Sequence, residues 1–312
     1  MKAITSRDNP LIKRLHALAH SARDRRQLGE TVLDGAHLVE AAVAARWPLK
    51  AIVCAESGLM PPEHQRLLGA IAADVPRYQL PDTLFRHVSP VDTPSGLLAI
   101  IDLPQSAAPA PLTDSVVVLD AVQDPGNLGT ILRTAAAAGI GRVLLGAGCA
   151  QAWSPRVLRA GMGAHFVLAI EDGIDACARL QGYPGRCLAT ALGEGACSLH
   201  ALDLRGPVAW LFGAEGQGLS PALLARADQR VIIPMAAGVE SLNVGAAVAE
   251  VAPSLVVDRH HGARAQFGVA WIHACRNQKA AGSISPPAAW RHADQFSNPS
   301  LNTGINCDAS IR

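Results

Sequence analysis

Residues 230–250 hold a short apolar run followed by polar residues that can bind a ligand through the backbone. The β-branched run at 231–233 predicts a buried strand, and Pro234 ends it because proline cannot donate to a sheet ladder. Ser241 and Asn243 are good helix-starting residues, and the first N–H groups of a helix have no intrahelical partner. A ligand can be held where such a strand, loop and helix meet. An ordinary strand–loop–helix junction is the alternative, and these residues alone favour it.

Polar side chains in two other segments could act on the same ligand. Arg133 follows Asn127 by six residues, with Asn127 at a predicted helix cap. The planar guanidinium of an arginine there can clamp a phosphate group. Glu215 lies in the glycine-rich turn at 213–218, where glycine permits a positive φ or a close approach of the backbone. Backbone geometry alone is the alternative explanation of that turn.

The second half of the chain alternates short apolar runs with segments of helical periodicity. This alternation predicts an α/β fold whose parallel sheet is covered by helices on both faces. Ligands of such sheets bind at the carboxyl ends of the strands, and all three polar segments lie at such ends. The predicted strands are residues 115–120, 142–145, 166–169, 186–190, 208–212 and 230–233.

The spacing of glycine and cysteine residues excludes several other kinds of site. The turn at 213–218 reads G-x-x-G-x-G, not the dinucleotide-binding G-x-G-x-x-G, and no Gly-Lys-Ser/Thr phosphate loop occurs. The seven cysteines are scattered without a CxxC pair, which predicts reduced thiols in a cytoplasm and argues against disulfides or structural zinc. The polar N-terminus indicates no signal peptide, and no apolar run is long enough to span a bilayer.

Charge is unevenly distributed along the 312 residues, although the formal net charge is only +1. Residues 1–26 hold seven Lys/Arg against two acidic residues, whereas residues 104–257 hold nine basic and twelve acidic residues. This asymmetry indicates a polyanionic partner at the N-terminal end, with a solvated helix face as the alternative. The basic residues expected to contact this polyanion are Lys13, Arg14, Arg25 and Arg26.

Residues 1–103 predict a small α/β domain. Asn9 and Pro10 begin a helix by the usual cap and first-turn preferences, and Gly29 ends that helical stretch. Proline and alanine without periodicity at 104–113 predict a linker. Further strands are predicted at 31–33, 51–54 and 97–101, and further helices at 38–43 and 62–73.

Three segments together resemble the signature motifs of the SpoU (TrmH-like) branch of the SPOUT methyltransferases. They read LDAVQDPGNLGTILRT at 119–134, LFGAEGQGLS at 211–220 and IPMAAGVESLNV at 233–244. These enzymes transfer a methyl group from S-adenosylmethionine to a ribose 2′-hydroxyl of RNA. The resemblance covers residues 1 to about 250. It implies a SPOUT domain at 114–257 that ends in a deep trefoil knot.

The resemblance also implies functional residues in two sets. It implies that Arg133 assists deprotonation of the 2′-hydroxyl, although an arginine pKa above about 12 favours phosphate or ribose positioning instead. The implied catalytic set is Asn127, Arg133, Glu215, Ser241 and Asn243. The implied cofactor-binding set is Thr190, Gly213, Ile233 and Leu242.

The partners are likewise expectations from the resemblance. The N-terminal domain resembles the L30e-type ribosomal-protein fold, which favours ribosomal RNA over transfer RNA as the substrate. A homodimer with its active site close to the subunit interface is implied, and no metal is expected. The alternatives are a transfer-RNA 2′-O-methyltransferase and a catalytically silent RNA-binding protein that has lost the cofactor.

The resemblance stops where the last helix should continue. Pro253 predicts that this helix ends near Ala252, because an interior proline costs about 3 kcal/mol. Residues 258–312 hold six basic and three acidic residues with little periodicity. They indicate an unrelated extension, or a shifted reading frame from about Val251. A mostly disordered tail and a less stable knot and dimer are therefore expected.

Overall fold

The computed structural model describes residues 1–104, 110–236, 238 and 241–256. These residues form two β-sheets, each packed against helices. None of the described helices has the length and apolar character that a bilayer crossing requires. The predictions for the tail at 258–312, and for residues 105–109 of the linker, lie outside the described residues.

The first sheet has five strands and mixed direction. The strands are β1 (Lys2–Ala3), β2 (Glu30–Asp34), β3 (Leu49–Ala55), β4 (Arg77–Leu80) and β5 (Leu97–Asp102). Their spatial order is β1-β4-β3-β5-β2, with β5 antiparallel to both of its neighbours and the other pairs parallel. The central strands β3 and β5 are almost entirely buried, as their apolar runs predict.

Five helices pack on the first sheet. They are α1 (Pro10–His20), α2 (Ala22–Leu28), α3 (Ala36–Ala44), α4 (Pro62–Ala70) and α5 (Asp82–Val88). The predicted cap of α1 is confirmed, since Asn9 Oδ1 accepts a 2.9 Å hydrogen bond from the backbone N–H of Leu11. Ser21 divides the predicted first helix in two because its hydroxyl caps α2 at Asp24. Gly29 ends α2 with a φ of 65°, as predicted.

The second sheet has seven strands, and every paired strand is parallel. The strands are β6 (Val116–Leu119), β7 (Arg142–Gly146), β8 (Ala169–Ile174), β9 (Arg186–Thr190), β10 (Cys197–Ser198), β11 (Val208–Phe212) and β12 (Gln229–Ile232). Their order is β10-β12-β9-β11-β6-β7-β8. The chain therefore builds one half of the sheet, crosses over and builds the other half.

Helices cover both faces of this sheet, which confirms the predicted α/β class. The helices are α6 (Pro125–Ala137), α7 (Pro155–Gly161), α8 (Ala176–Arg179), α9 (Pro221–Arg226) and α10 (Val244–Val256). Side chains of β6 alternate between two cores: Val117 and Leu119 pack with α6, α7 and α10, whereas Val116 and Val118 pack with α8 and α9. A strand that is buried on both faces reads as a continuous apolar run for this reason.

Three predicted boundaries are wrong. The helix predicted at 62–73 ends at Ala70, because Ile71 is extended. The apolar stretch at 166–169 is not a strand, because Ala164–Phe166 form a 3₁₀ turn and β8 starts only at Ala169. The Phe166 ring packs 5.5 Å from the ring of Trp47, so burial in an aromatic cluster explains its apolar character. The last helix does not end near Ala252, since α10 continues through Pro253. Packing of α10 on α6 supports the helix, and the missing proline N–H removes one bond near its end.

Polar contacts fasten the two sheets to each other through α7 and the segment before it. Thr31 of β2 donates a 2.8 Å hydrogen bond to the carbonyl oxygen of Trp153. The carboxylate of Asp34 pairs with Arg159 at 3.2 Å and accepts a 3.1 Å hydrogen bond from Ser95. Burial raises the pKa of Asp34, which the Ser95 hydrogen bond and the Arg159 charge partly oppose. Thr31 and the Asp34 carboxylate are buried, and such buried polar groups fix an orientation because each needs its partner in place.

Gly129 permits the close approach of α6 and α7, and we predict that Gly129→Ala destabilises the protein. An added methyl group would lie 2.3 Å from Ala160 Cβ and 2.8 Å from the carbonyl oxygen of Val157. The free energy of unfolding should fall by about 1–3 kcal/mol, because the helices must separate. Gly69→Ala in α4 is the matched control, since nothing lies within 4 Å of its added methyl group. That variant should be unchanged or up to about 1 kcal/mol more stable.

Urea unfolding followed by tryptophan fluorescence measures both variants. Equal stabilities for Gly129→Ala and Gly69→Ala would contradict the tight α6–α7 contact.

Candidate active site

The loops of the first two motifs, residues 120–124 and 213–219, meet because β6 and β11 are neighbours in the second sheet. β6 pairs with β11, so that Leu119 lies opposite Phe212 at the carboxyl edge. Beyond these strands, the backbone N–H of Asp120 donates to the carbonyl oxygen of Phe212 at 2.9 Å. The carboxylate of Asp120 accepts a 2.7 Å hydrogen bond from the backbone N–H of Ser220. These bonds hold the start of the 120–124 loop against the far end of the 213–219 loop.

Asn127 lies in the first turn of α6 and contacts both of the other motifs. Asp124 caps the helix by accepting a 2.7 Å hydrogen bond from the backbone N–H of Asn127. The side-chain amide of Asn127 donates to a carboxylate oxygen of Glu215. The side-chain amide of Asn243 in turn donates to Asn127 Oδ1 at 2.9 Å. A hydrogen-bonded chain of Glu215, Asn127 and Asn243 therefore links the three segments.

The glycine-rich turn presents Glu215 to solvent. Ala214 and Gly218 exchange two backbone hydrogen bonds, of 3.1 and 2.9 Å, which close a small loop with Glu215 at its tip. Gly216 and Gly218 have φ values of 86° and 70°, which other residues rarely adopt. A Cβ on Gly213 would lie 2.0 Å from the carbonyl carbon of Gly218, so this position requires glycine. The conformation of the turn is thus set by its backbone hydrogen bonds and by its glycines, not by the Glu215 side chain.

Asn243 is the N-cap of α10. Its side-chain oxygen accepts hydrogen bonds from the backbone N–H groups of Gly245 at 2.9 Å and Ala246 at 3.3 Å. The same side chain therefore starts the helix and reaches Asn127. Ser241 is exposed two residues before the cap and hydrogen-bonds to no residue of the described part of the chain. Of the two predicted helix-starting residues, Asn243 takes the capping role.

Arg133 lies on α6 with an exposed side chain, outside the hydrogen-bonded chain. Its six-residue separation from Asn127 places the two side chains about 120° apart around the helix. Within the described ranges, the guanidinium has no ion pair or hydrogen bond. It is therefore available to an external anion, in line with the predicted phosphate contact.

A pocket of about 300 Å³ lies beside the third motif segment, residues 233–244. Two of the predicted cofactor-binding residues, Ile233 and Leu242, line it, together with Leu199, His200, Pro234, Met235, Ala236 and Glu250. The other two lie elsewhere. The hydroxyl of Thr190 donates to the carbonyl oxygen of Leu211 at 3.0 Å, and Gly213 shapes the glycine-rich turn. The described residues contain no group of three His, Cys, Asp or Glu placed to share a metal ion.

The sequence interpretation missed Asp120, Asp124 and most of the pocket lining. Asp124 precedes Pro125, and this pair is a recognisable helix-start signal. Asp120 shows no such local signal, because its partner Ser220 lies a hundred residues away. Leu199 and His200 belong to a short 3₁₀ turn after β10, which was not predicted either.

The four predicted RNA-binding residues differ in their availability. The prediction that Arg25 contacts RNA is wrong, because this residue is only 5% exposed. Its guanidinium donates to the Leu18 carbonyl at 2.8 Å and to Gln151 Oε1 at 2.9 and 2.6 Å. Arg14 is paired with the buried carboxylate of Glu30. Burial and internal partners give Arg25 a structural role, and its ion pair with the buried Glu30 gives one to the half-exposed Arg14.

The other two residues are on the surface. Lys13 makes only an exposed pair with Asp8 at 3.3 Å, and Arg26 is exposed. Exposed ion pairs of this kind contribute little to stability, so the lysine can readily bind another anion instead.

Comparison with known protein families gives two adjacent matches. Residues 114–252 match the SpoU rRNA Methylase family, and residues 9–99 match the MRM3-like substrate binding domain. An uncharacterized tRNA/rRNA methyltransferase of Synechocystis is 35% identical over 79% of this chain and 90% of its own length. The 23S rRNA (guanosine(2553)-2′-O)-methyltransferase RlmP of Bacillus subtilis is 31% identical over 80% of this chain and 97% of its own.

Solved structures show the same relationship. An AdoMet-bound rRNA methyltransferase from Sinorhizobium meliloti has a TM-score of 0.72 and 27% identity, and the match covers 84% of this chain and 99% of that one. An RNA 2′-O ribose methyltransferase has a TM-score of 0.71 and 29% identity, with 82% and 99% covered. With the motifs brought together at the sheet edge and relatives matched over nearly their whole length, the chain belongs to the SpoU rRNA methylase family.

Proposed function

We propose that this protein transfers a methyl group from S-adenosylmethionine to a ribose 2′-hydroxyl of ribosomal RNA. The observation that carries the proposal is the hydrogen-bonded chain of Glu215, Asn127 and Asn243, which draws the three motifs into one site. Relatives named as 2′-O-methyltransferases support the reaction. Incubation of ribosomal RNA with radiolabelled S-adenosylmethionine, followed by mapping of 2′-O-methylated nucleotides, tests it.

Ribosomal RNA is preferred to transfer RNA because of the N-terminal part of the chain. Residues 9–99 match a substrate binding domain described as MRM3-like, and the mitochondrial relatives carry the name rRNA methyltransferase 3. We assign residues 1–103 to substrate binding and residues 114–257 to methyl transfer, with 104–113 between them.

The pocket beside residues 233–244 is lined by groups that suit S-adenosylmethionine. Leu199, Ile233, Met235 and Leu242 provide apolar walls for an adenine ring, and the loop after β12 brings backbone close to the same space. Glu250 adds a carboxylate to the lining. When bound, the cofactor supplies an electrophilic methyl carbon on a sulfonium sulfur.

The residues of the chain orient the attacking hydroxyl, whose proton is released to solvent as its oxygen bonds the methyl carbon and the bond from that carbon to sulfur breaks. Methyl transfer requires in-line placement of the attacking oxygen and removal of its proton. Asn127, Glu215 and Asn243 form a network with hydrogen-bonding groups near the reacting position, and Ser241 stands at the entry of α10. Arg133 holds the RNA phosphate or ribose, because a guanidinium with a pKa above about 12 is a poor base.

Assembly follows the family resemblance. We propose that the end of the second domain forms a trefoil knot, and that two copies associate with their active sites close to the interface. The contact of α10 with α6 supports a closely fitted C-terminal helix, since Gly245 packs against Thr130 and Asn243 reaches Asn127.

We predict that the protein binds S-adenosylmethionine in buffer containing EDTA, as measured by calorimetry. Leu242→Ala should weaken binding about fivefold, because part of the apolar wall is lost. Leu192→Ala removes a leucine that is 71% exposed and lies outside the pocket, and it should leave affinity unchanged. RNA binding without any cofactor binding would favour the catalytically silent alternative.

Arg133→Ala should reduce methyl transfer about 100-fold or more, because a misplaced substrate loses in-line alignment. Affinity for S-adenosylmethionine should be unchanged, since Arg133 lies outside the pocket lining. Arg133→Lys should restore little activity, as an ammonium cannot reproduce the planar fork. Single-turnover assays separate transfer from binding, and near-normal turnover in Arg133→Ala would remove this residue from the active site.

The exposed and buried basic residues near the N-terminus should behave differently. Lys13→Ala with Arg26→Ala should weaken RNA binding and flatten its salt dependence by about 0.7 per lost phosphate contact with single-stranded RNA. Arg25→Ala should mainly lower the unfolding free energy, because Gln151 and the Leu18 carbonyl lose their partner. RNA affinity is measured by titration at several salt concentrations. If the dependence of affinity on salt is unchanged in the Lys13/Arg26 variant, these residues are only a solvated helix face and do not contact RNA.

A further inference from the structure

Three exposed histidines lie close together on the first domain and take no part in the proposed methyl transfer. His16 and His20 are one turn apart on α1, and His87 is on the neighbouring α5. The ring centroids of His16 and His87 are 4.7 Å apart with planes inclined by 29°, which is a stacked arrangement. His20 lies 4.6 Å from His16 with a tilted ring. We call these residues the histidine cluster.

The geometry of the histidine cluster is that of aromatic surfaces rather than of metal ligands. Stacking turns the faces of His16 and His87 toward each other, whereas a shared metal requires converging nitrogen atoms. In the described part of the chain, no such converging group of His, Cys, Asp or Glu is present.

The core beneath the histidine cluster fixes its position. Leu15 and Leu18 of α1 pack with Leu84 and Val88 of α5 in one buried apolar group. The imidazole rings extend from the outer faces of these two packed helices. A platform on packed helices loses little conformational entropy when it binds a ligand.

The surroundings of the histidine cluster are cationic. Burial, His16 and Arg7 lower the pKa of His87, in that order of importance. Burial lowers the pKa of His20 most, with smaller effects from His16, His87 and Arg25. These effects favour the neutral forms of His87 and His20, and basic residues adjoin the two rings.

No other exposed rings in this domain come together. Trp47 and Tyr78 are half-buried and Phe85 is buried, while His64 is buried with its ring bonded to the Gly58 carbonyl. His37 is exposed on α3, outside the histidine cluster. Unpaired nucleobases of RNA are recognised by stacking on aromatic or histidine rings, with cations nearby for the phosphates.

We propose that the histidine cluster is a stacking subsite for an unpaired nucleobase of the RNA substrate. The inference rests on the proposed function, because it takes RNA to be the ligand of this domain. The stacked pair of His16 and His87 offers an outer ring face to the base, and Arg7 is close enough to His87 to contribute charge for the adjacent phosphate. The subsite selects single-stranded loops over duplex, since bases inside a helix are already stacked.

The test compares His16→Ala/His87→Ala with the wild-type protein by fluorescence anisotropy. The probes are a labelled single-stranded RNA of about 12 nucleotides and the same strand in a duplex. The double variant should bind the single strand roughly tenfold more weakly and the duplex as before. The salt slope should not change, because stacking of a base on a ring releases no counterions.

Two further variants sharpen the result. His37→Ala is the matched control, an exposed histidine of the same domain, and should bind both probes normally. His16→Phe/His87→Phe retains flat rings and no nitrogen, so it should restore most of the affinity. Thermal unfolding confirms that all variants are folded.

Several outcomes would overturn the proposal. Phenylalanine variants as weak as alanine variants, a lower salt slope, or loss of wild-type binding on adding EDTA would each exclude ring stacking as the contact. If the wild type methylates ribosomal RNA while the alanine variant binds normally, only the subsite is wrong. If binding depends on the histidines but no ribosomal RNA is methylated, the subsite stands and the proposed function is wrong.

Discussion

The lateral pairing of β11 with β6 is the constraint on which the site depends. These strands are far apart in sequence, yet Phe212 lies opposite Leu119 at the carboxyl edge of the sheet. Because parallel strands end on the same side, the loops that follow them begin next to each other. Asp120 then bonds to both ends of the second loop, at Phe212 and Ser220. The meeting of the first two motifs is a consequence of this register.

Exposed side-chain hydrogen bonds would not hold such a site by themselves, because each contributes about 0.5–1.5 kcal/mol at most. Their geometry is set by backbone features that lie underneath. Asp124 fixes the first turn of α6, and the Ala214–Gly218 bridge fixes the glycine-rich turn. Asn243 caps α10 with its oxygen and keeps its amide for Asn127. The polar groups can therefore face a substrate while their positions are maintained by secondary structure.

Local pattern predicted the strands well, because strands buried on both faces read as apolar runs. The interval 186–190 and the interval 208–212 match β9 and β11 residue for residue. Predictions from local pattern were wrong where long-range packing determines the structure. Phe166 is apolar because it belongs to an aromatic cluster, not to a strand. The helix α10 continues through Pro253 because it packs on α6. Arg25 looked like a surface charge, yet its partner Gln151 is 126 residues away. Neither the order of the strands nor side-chain partners that are distant in sequence can be predicted from local composition. The contacts within the site could therefore be identified only from the folded structure.

A packed path joins the first sheet to the helix that carries Arg133. Asp34 of β2 pairs with Arg159 on α7, and Thr31 bonds to the backbone of Trp153 just before that helix. On its other side, α7 packs closely on α6 at Gly129, one turn before Arg133. Buried polar contacts favour one relative orientation, since a displaced partner leaves a group unsatisfied. Under the proposed function, RNA held on the first domain therefore stands at a distance from Arg133 that α7 sets, and a flexible tether is not needed to bring the ribose to the site.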